Sequence, residues 1–310
     1  MMAANIFYFI VFPGFLFTAV VGLLVSWVDR KITARIQWRV GPPWYQNFVD
    51  FFKLLGKETI VPRGAGRIGF LFAPLMGLIG VTLVSLILWQ MNLNPNRSFM
   101  GDVIVLIYLS ILPALAIIIG GSSSANPLGA IGASREMKLI LADELPFIMA
   151  IFTPLVKIGS LKVGSIITYQ LNHGMMFTHH LSSVIALVVA FLCMQAKLTL
   201  VPFDIPEAEQ EIMAGPYIEY SGPLLALFKL TRAMMLFAMP VFLITIFLGG
   251  MQFNGWASGW SVVKYLVILI LIILLKNTNP RLRIDQALKF FWLRMFPLSC
   301  IGFVLALLGL

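Results

Sequence analysis

Charge is scarce in this 310-residue chain. Only 11% of its residues are Asp, Glu, Lys or Arg, against about a quarter in a soluble protein. With 60% hydrophobic residues and a mean hydropathy of +0.94, the shortage excludes a soluble fold and points to an all-α polytopic membrane protein. Cysteine is nearly absent too. Cys193 and Cys300 lie far apart inside apolar runs, which excludes an iron–sulfur cluster with its full set of thiolates and leaves buried, inert roles. His173, His179 and His180 share one loop, so no histidine is available to hold a haem inside a span. The sequence also lacks a catalytic triad, a metal-ligand cluster, an internal repeat and any low-complexity segment. The first apolar run has no small-residue cleavage site; it leads into Asp29-Arg30-Lys31, so no cleavable signal peptide is expected.

What is present is a series of apolar runs, each near the ~20 residues needed to cross a bilayer. About eight occur, at roughly 5–27, 68–89, 103–120, 138–156, 180–199, 224–248, 262–275 and 294–310. The seventh is short and is expected to borrow residues from its flanks. Connectors at about 29–67, 120–137, 197–223 and 276–293 hold most of the cations, while Arg97, Lys157, Lys162 and Lys264 fall on the other side. The positive-inside rule then puts both termini outside and those four connectors in the cytoplasm. The net charge of +9 is read as a topology signal, not a nucleic-acid footprint. Residues 1–310 form one integral membrane domain.

One connector inverts the charge. Lys197–Gly222, KLTLVPFDIPEAEQEIMAGPYIEYSG, holds Asp204, Glu207, Glu209, Glu211 and Glu219, five of the thirteen acidic residues. Asp204-Ile-Pro-Glu207 has capping-box spacing with Pro206 in the first turn, which predicts a short helix starting here. On that helix Glu207 and Glu211 would share a face and Glu209 would point elsewhere. Complementing a helix N-terminus accounts for one or two of these acids, not five.

The cationic first connector contains RVGPP (Arg39–Pro43), a forced bend, and then Gln46–Lys57, whose apolar and charged residues suit an amphipathic helix at the membrane surface. Its charge fits an anchor to anionic lipid and a docking surface for a soluble partner equally well. The second, GGSSSANPLGAIGASRE (Gly120–Glu136), is dominated by small residues, so its backbone can pack closely against a helix or a partner. It lacks the Gly-Lys-Ser/Thr ending of a phosphate loop. The fourth span carries Asp143 and Glu144 some five or six residues inside, followed by Pro146 and Pro154. Acids inside a span are costly and default to function, and Pro146 frees a backbone carbonyl and favours a kink. The plainer alternative is an ion pair with Lys229 or Arg232, which share a face of the sixth span.

Three segments carry a resemblance: DRKITARIQWRVGPP (Asp29–Pro43), GAIGASRE (Gly129–Glu136) and PFDIPEAEQEIMAGPYIEYSG (Pro202–Gly222). In order and spacing they resemble the H-type membrane subunit of respiratory complex I and its hydrogenase relatives, over almost the whole chain. The GASRE wording, and EQE followed by AGP-x-x-EYSG, are similar to the membrane-bound nickel–iron hydrogenases and formate hydrogenlyases. Quinone-reducing members usually show an asparagine- and serine-rich stretch and a Leu-Arg pair at the second segment. The resemblance implies a soluble arm, with hydrogenase large and small subunit-like chains carrying a nickel–iron site and iron–sulfur clusters, and antiporter-like membrane subunits beside this chain, which itself holds no cofactor. It assigns Asp204, Glu207, Glu209, Glu211 and Glu219 to the mouth of a proton path and Asp143 and Glu144 to its continuation, with Lys229 and Arg232 as countercharges. Asp29, Arg30, Lys31, Arg35 and Arg39, with Arg135 and Glu136, would shape docking and the cavity.

The function expected is membrane anchor and energy-coupling subunit of a nickel–iron hydrogenase-type respiratory complex, moving protons or sodium. The runner-up is a quinone-site subunit of a complex I-like dehydrogenase, and a sulfane reductase subunit would look alike. An inert scaffold and a stand-alone channel or transporter are the rivals from other classes; the lack of repeats weighs against the common transporter folds.

Overall fold

The protein is seen in a computed structural model that describes residues 2–253 and 255–309. The described chain is a helical bundle. In order come α1 (Met2–Ile10), α2 (Phe15–Ile36), α3 (Gln46–Leu55), α4 (Arg67–Leu93), α5 (Asp102–Ser123), α6 (Pro127–Ile158) and α7 (Val163–His173). Then follow α8 (Met176–His179), α9 (Leu181–Lys197), α10 (Glu209–Ile212), α11 (Gly222–Phe247), α12 (Trp256–Thr278), α13 (Ile284–Phe290) and α14 (Phe296–Leu307). Seven stretches are long and apolar enough to cross a membrane: 6–36, 67–93, 102–123, 127–158, 222–247, 256–278 and 284–307. The eighth expected span is the shorter apolar helix α9, packed between α6 and α14. A multi-pass membrane protein results.

α11 is the axis of the bundle. Apart from Lys229 and Arg232, exposed near its cap end, it carries no charged residue, and 94% of its most apolar window is buried against α2, α3, α4 and other neighbours, as an enclosed helix requires. The peripheral helices turn apolar residues outward instead, such as Ile68, Phe72 and Ile79 on α4 and Leu266, Ile270 and Leu274 on α12. On a membrane protein these are surfaces for lipid or neighbouring subunits.

Several boundaries differ from the sequence reading, each for a local reason. The first span is two helices, because the chain turns at Pro13-Gly14; a Cβ on Gly14 would lie 1.9 Å from the Phe9 carbonyl oxygen. α2 then continues to Ile36, so Asp29, Arg30, Lys31 and Arg35 are helical and only Arg39 lies in the connector. The connector read at 120–137 shrinks to 124–126: α5 runs through Ser123, and Asn126 caps α6, its Oδ1 accepting from the Leu128 N–H at 2.9 Å. Asp143 and Glu144 therefore sit half way along α6, which runs unbroken through Pro146 and Pro154. The seventh span does take in its flanks, from Trp256 to Thr278. The last begins at Ile284 rather than 294, with a π turn at Phe291–Met295, so the connector before it is short.

Alternate connectors collect at opposite ends. At one end Gly66 N–H donates to the Ser123 carbonyl at 2.9 Å and Leu282 N–H to that of Pro202 at 3.0 Å. At the other, buried side chains complete the C-terminus of α11, whose last carbonyls have no intrahelical donor. Gln170 Nε2 donates to the Thr245 and Ile246 carbonyls at 3.2 and 3.0 Å, and Lys264 Nζ to that of Leu248 at 2.6 Å.

Candidate functional site

The acidic stretch is a folded cap on the bundle rather than a free loop. Small residues of α5 and α6 make this possible: a Cβ on Gly132 would lie 2.5 Å from Pro216 Cδ. Tyr220 stacks on Phe70 at 4.1 Å between ring centroids and donates its hydroxyl to the Phe70 carbonyl at 3.0 Å. The close packing expected of Gly120–Glu136 is thus made largely with the acidic stretch of the same chain.

The acids of the cap diverge, and four of the five meet a different partner each. Glu207 accepts from Arg232 of α11 at 2.6 Å, and Arg232 also donates to the Thr199 carbonyl at 3.0 Å. Asp204 pairs with Arg281 at 3.0 Å and Glu211 with Arg135 at 2.6 Å. Glu219 accepts from the Asn126 side chain at 2.6 Å. Glu209 is exposed beside a cavity of about 330 Å³ lined also by Glu207, Tyr217, Lys229 and Arg232. The expected capping box does not form: Ile205–Glu207 is one 3₁₀ turn, and the Asp204 side chain caps nothing. Without a continuous helix, Glu207 and Glu211 do not share a face; they reach α11 and α6 respectively. Burial lifts the Asp204 carboxyl above the usual carboxylate range, with Arg281 opposing. Burial also pushes the Tyr217 phenol far up, Glu207 adding to the effect and Arg232 opposing it, so Tyr217 stays neutral.

Below the cap lies a second set of carboxylates. Glu136 and Asp143 are two turns apart on the buried face of α6, at 1% and 2% exposure. Glu144 pairs with Lys197 at the end of α9, whose ammonium lies 4.8 Å from the Phe147 ring centroid. Glu136, Asp143 and Lys197 line one narrow space. Lys197 lines the next with Tyr217 and Arg232, and Arg232 lines both larger cavities near the cap. Among the described residues, Glu136, Glu144 and Glu207 each keep one buried carboxylate oxygen without a hydrogen bond. Such an oxygen is costly unless water or a proton serves it, so the series is suited to handling protons.

The remaining candidates divide. Lys197, not Lys229 or Arg232, is the cation paired with Glu144, while Arg232 answers Glu207. Glu136 is buried and so cannot meet a docking partner; it joins Asp143 instead. Asp29 is buried as well and accepts from Lys276 at 2.7 Å. Arg30 pairs with Asp50 of α3 at 3.2 Å, Lys31 is half-buried, and Arg35 and Arg39 are exposed. Sequence reasoning missed Lys197, Lys276 and Arg281 as site residues, because a cation at the end of an apolar run reads first as a topology marker. Among the described residues no three His, Cys, Asp or Glu side chains are grouped to hold a metal, and Cys193 and Cys300 are free thiols on different helices.

This charge series sits in a bundle with known counterparts. A family model described as NADH dehydrogenase matches residues 8–307. The chain belongs to that family. It is 32% identical over 292 residues to the H-type subunit of NADH-quinone oxidoreductase from Geobacillus thermodenitrificans (strain NG80-2), covering 89% of this chain and 86% of the relative. Identity to NADH-quinone oxidoreductase subunit 8 of Thermus thermophilus is 30% over 312 residues, covering 93% of this chain and 84% of that one. A chain in the structure of the membrane-bound sulfane sulfur reductase, an archaeal respiratory membrane complex, superposes with a TM-score of 0.82 at 29% identity. That match covers 94% of this chain and 96% of the other. The protein is a complex I-like H-type subunit of a multi-subunit respiratory oxidoreductase complex in the membrane.

Proposed function

We propose that this H-type subunit is the anchor and energy-coupling subunit of a hydrogenase-type complex, linking electron transfer in a soluble arm to proton or sodium translocation. The observation that carries the reading is the unbroken series of ionisable groups from Glu209 and Glu207 through Arg232 and Lys197 to Glu144, Asp143 and Glu136. A charge change above the cap would alter the Glu207–Arg232 pair. Arg232 and Lys197 border one space, so the change would reach the second carboxylate set as a shift in which acid holds a proton. The carboxylates hold and release the proton, and the cations set how readily they do so.

The orientation follows from charge: the connectors richest in cations gather at the acidic-cap end, which is assigned to the cytoplasm with both termini outside. The nickel–iron site and iron–sulfur clusters are assigned to large and small subunit-like partners in the soluble arm, and ion transfer to antiporter-like membrane partners. The GASRE and AGPYIEYSG wording favours the hydrogenase type. The likeness to the sulfane sulfur reductase supports a sulfane-reducing second reading, and the relatives named NADH-quinone oxidoreductase a quinone-reducing one.

The test is made on gently solubilised native complex. Nickel, hydrogenase-like partners and hydrogen evolution from reduced ferredoxin are expected. Polysulfide reduction without nickel, or bound quinone without nickel, would replace the hydrogenase reading. In vesicles, Glu144→Gln should abolish ion translocation while electron transfer continues; full coupling in that variant would leave only a scaffold.

A further inference from the structure

α9 ends in a turn that joins two cations of the ionisable series. Lys197 is its last helical residue. Beyond it the Thr199 N–H donates to the Ala196 carbonyl at 2.8 Å and the Leu200 N–H to the Gln195 carbonyl at 3.3 Å, the paired bonds of a Schellman ending. That ending holds Thr199 in the left-handed region, at φ +48°. Glycine is the usual residue there, because a β-branched side chain is strained in that conformation. Thr199 is buried all the same, and its carbonyl accepts from Arg232 at 3.0 Å. Two residues earlier on the same turn, Lys197 meets Glu144. One turn of backbone thus carries a contact of each cation, and Lys197, Thr199 and Arg232 border one space.

Strained backbone persists only where its surroundings over-determine it. Gln195 is buried, and its Nε2 donates to the Val201 carbonyl at 2.8 Å, which closes residues 195–201 with a side-chain bond. Its backbone carbonyl already holds Leu200, so this one residue braces the start and the exit of the turn. The Gln195 Oε1 has no hydrogen-bond partner among the described residues, so the donor end does the bracing. Two positions from Lys197 on α9, Gln195 faces another side of the helix. It reaches the carboxylates through the turn, not by contact.

We propose that Gln195 is a positioning residue, holding the α9 turn so that Lys197 and Arg232 keep the separation across which a charge change passes. The inference rests on the coupling reading and adds the element that sets its geometry. The test is Gln195→Met in the intact complex, which keeps the length of the side chain and removes its donor. Loss of one hydrogen bond should open the turn about five-fold more often, read as about five-fold faster hydrogen exchange at Thr199 and Leu200. In vesicles the variant should move fewer ions per electron while electron transfer keeps its rate. Adding Thr199→Gly, which removes the left-handed strain, should restore slow exchange and ion movement together; Thr199→Gly alone should slow the exchange below wild type. Unchanged exchange in Gln195→Met would overturn the bracing role, and ion movement lost without rescue by glycine would overturn the turn as its route. Faster exchange with full ion movement, where Glu144→Gln abolishes it, would overturn the positioning role and leave the coupling reading standing. Full ion movement in both variants would overturn the two together.

Discussion

Lys197→Met isolates the interaction at the centre of the second carboxylate set. The Lys197 and Glu144 side chains are 6% and 15% exposed, so solvent does little to screen the pair. Removing one partner from so buried a pair costs about 3–5 kcal/mol, because the charge left behind is uncompensated. At about 2 °C per kcal/mol for a chain of this size, melting should fall by roughly 6–10 °C. The structure adds an asymmetry. Lys197 shares its space with Asp143 and Glu136 as well as contacting Glu144. Glu144→Gln leaves the lysine two acids to face, whereas Lys197→Met leaves three acids without their cation, so the lysine variant should lose more. In the double variant the two losses should not add. Thermal denaturation of the purified complex, followed by size-exclusion of a fluorescent fusion, measures all three. Equal losses in the two single variants, or a Lys197→Met complex melting within about 2 °C of wild type, would refute this account of the site.

The other predictions concern the cap, the far end and coupling. Gly132→Ala puts a Cβ 2.5 Å from Pro216; overpacking of about 1–3 kcal/mol should loosen the cap and speed proteolysis between 208 and 215. Asp204, raised by burial, contributes most to stability when protonated. Hydrogen-exchange protection of the 202–212 segment should therefore decline as pH rises through its elevated value, and Asp204→Asn should flatten that dependence. Gln170→Ala removes donors from the Thr245 and Ile246 carbonyls and the acceptor of Gly249 N–H. Each buried group left unpaired costs about 1–3 kcal/mol, so the α11 C-terminus should exchange faster. Glu136→Gln should impair ion translocation in vesicles more than electron transfer, and equal effects on both would contradict its place in the series.

Composition and hydropathy determined the class of this protein, because a bilayer tolerates few charges and demands long apolar helices. They also marked the acidic stretch, the two acids of α6 and the shared face of Lys229 and Arg232, which line the same cavities. Those features are local, and local spacing is legible. Tertiary structure alone decided who partners whom. Glu144 meets Lys197 across 53 positions, and Asp29 meets Lys276 across 247; no periodicity carries such pairings. It also decided that Glu136 is buried, since the GASRE stretch looked like a connector until Asn126 capped it into a helix. The capping-box spacing at Asp204 failed for the same reason: a distant arginine attracts a carboxylate more strongly than its own backbone does.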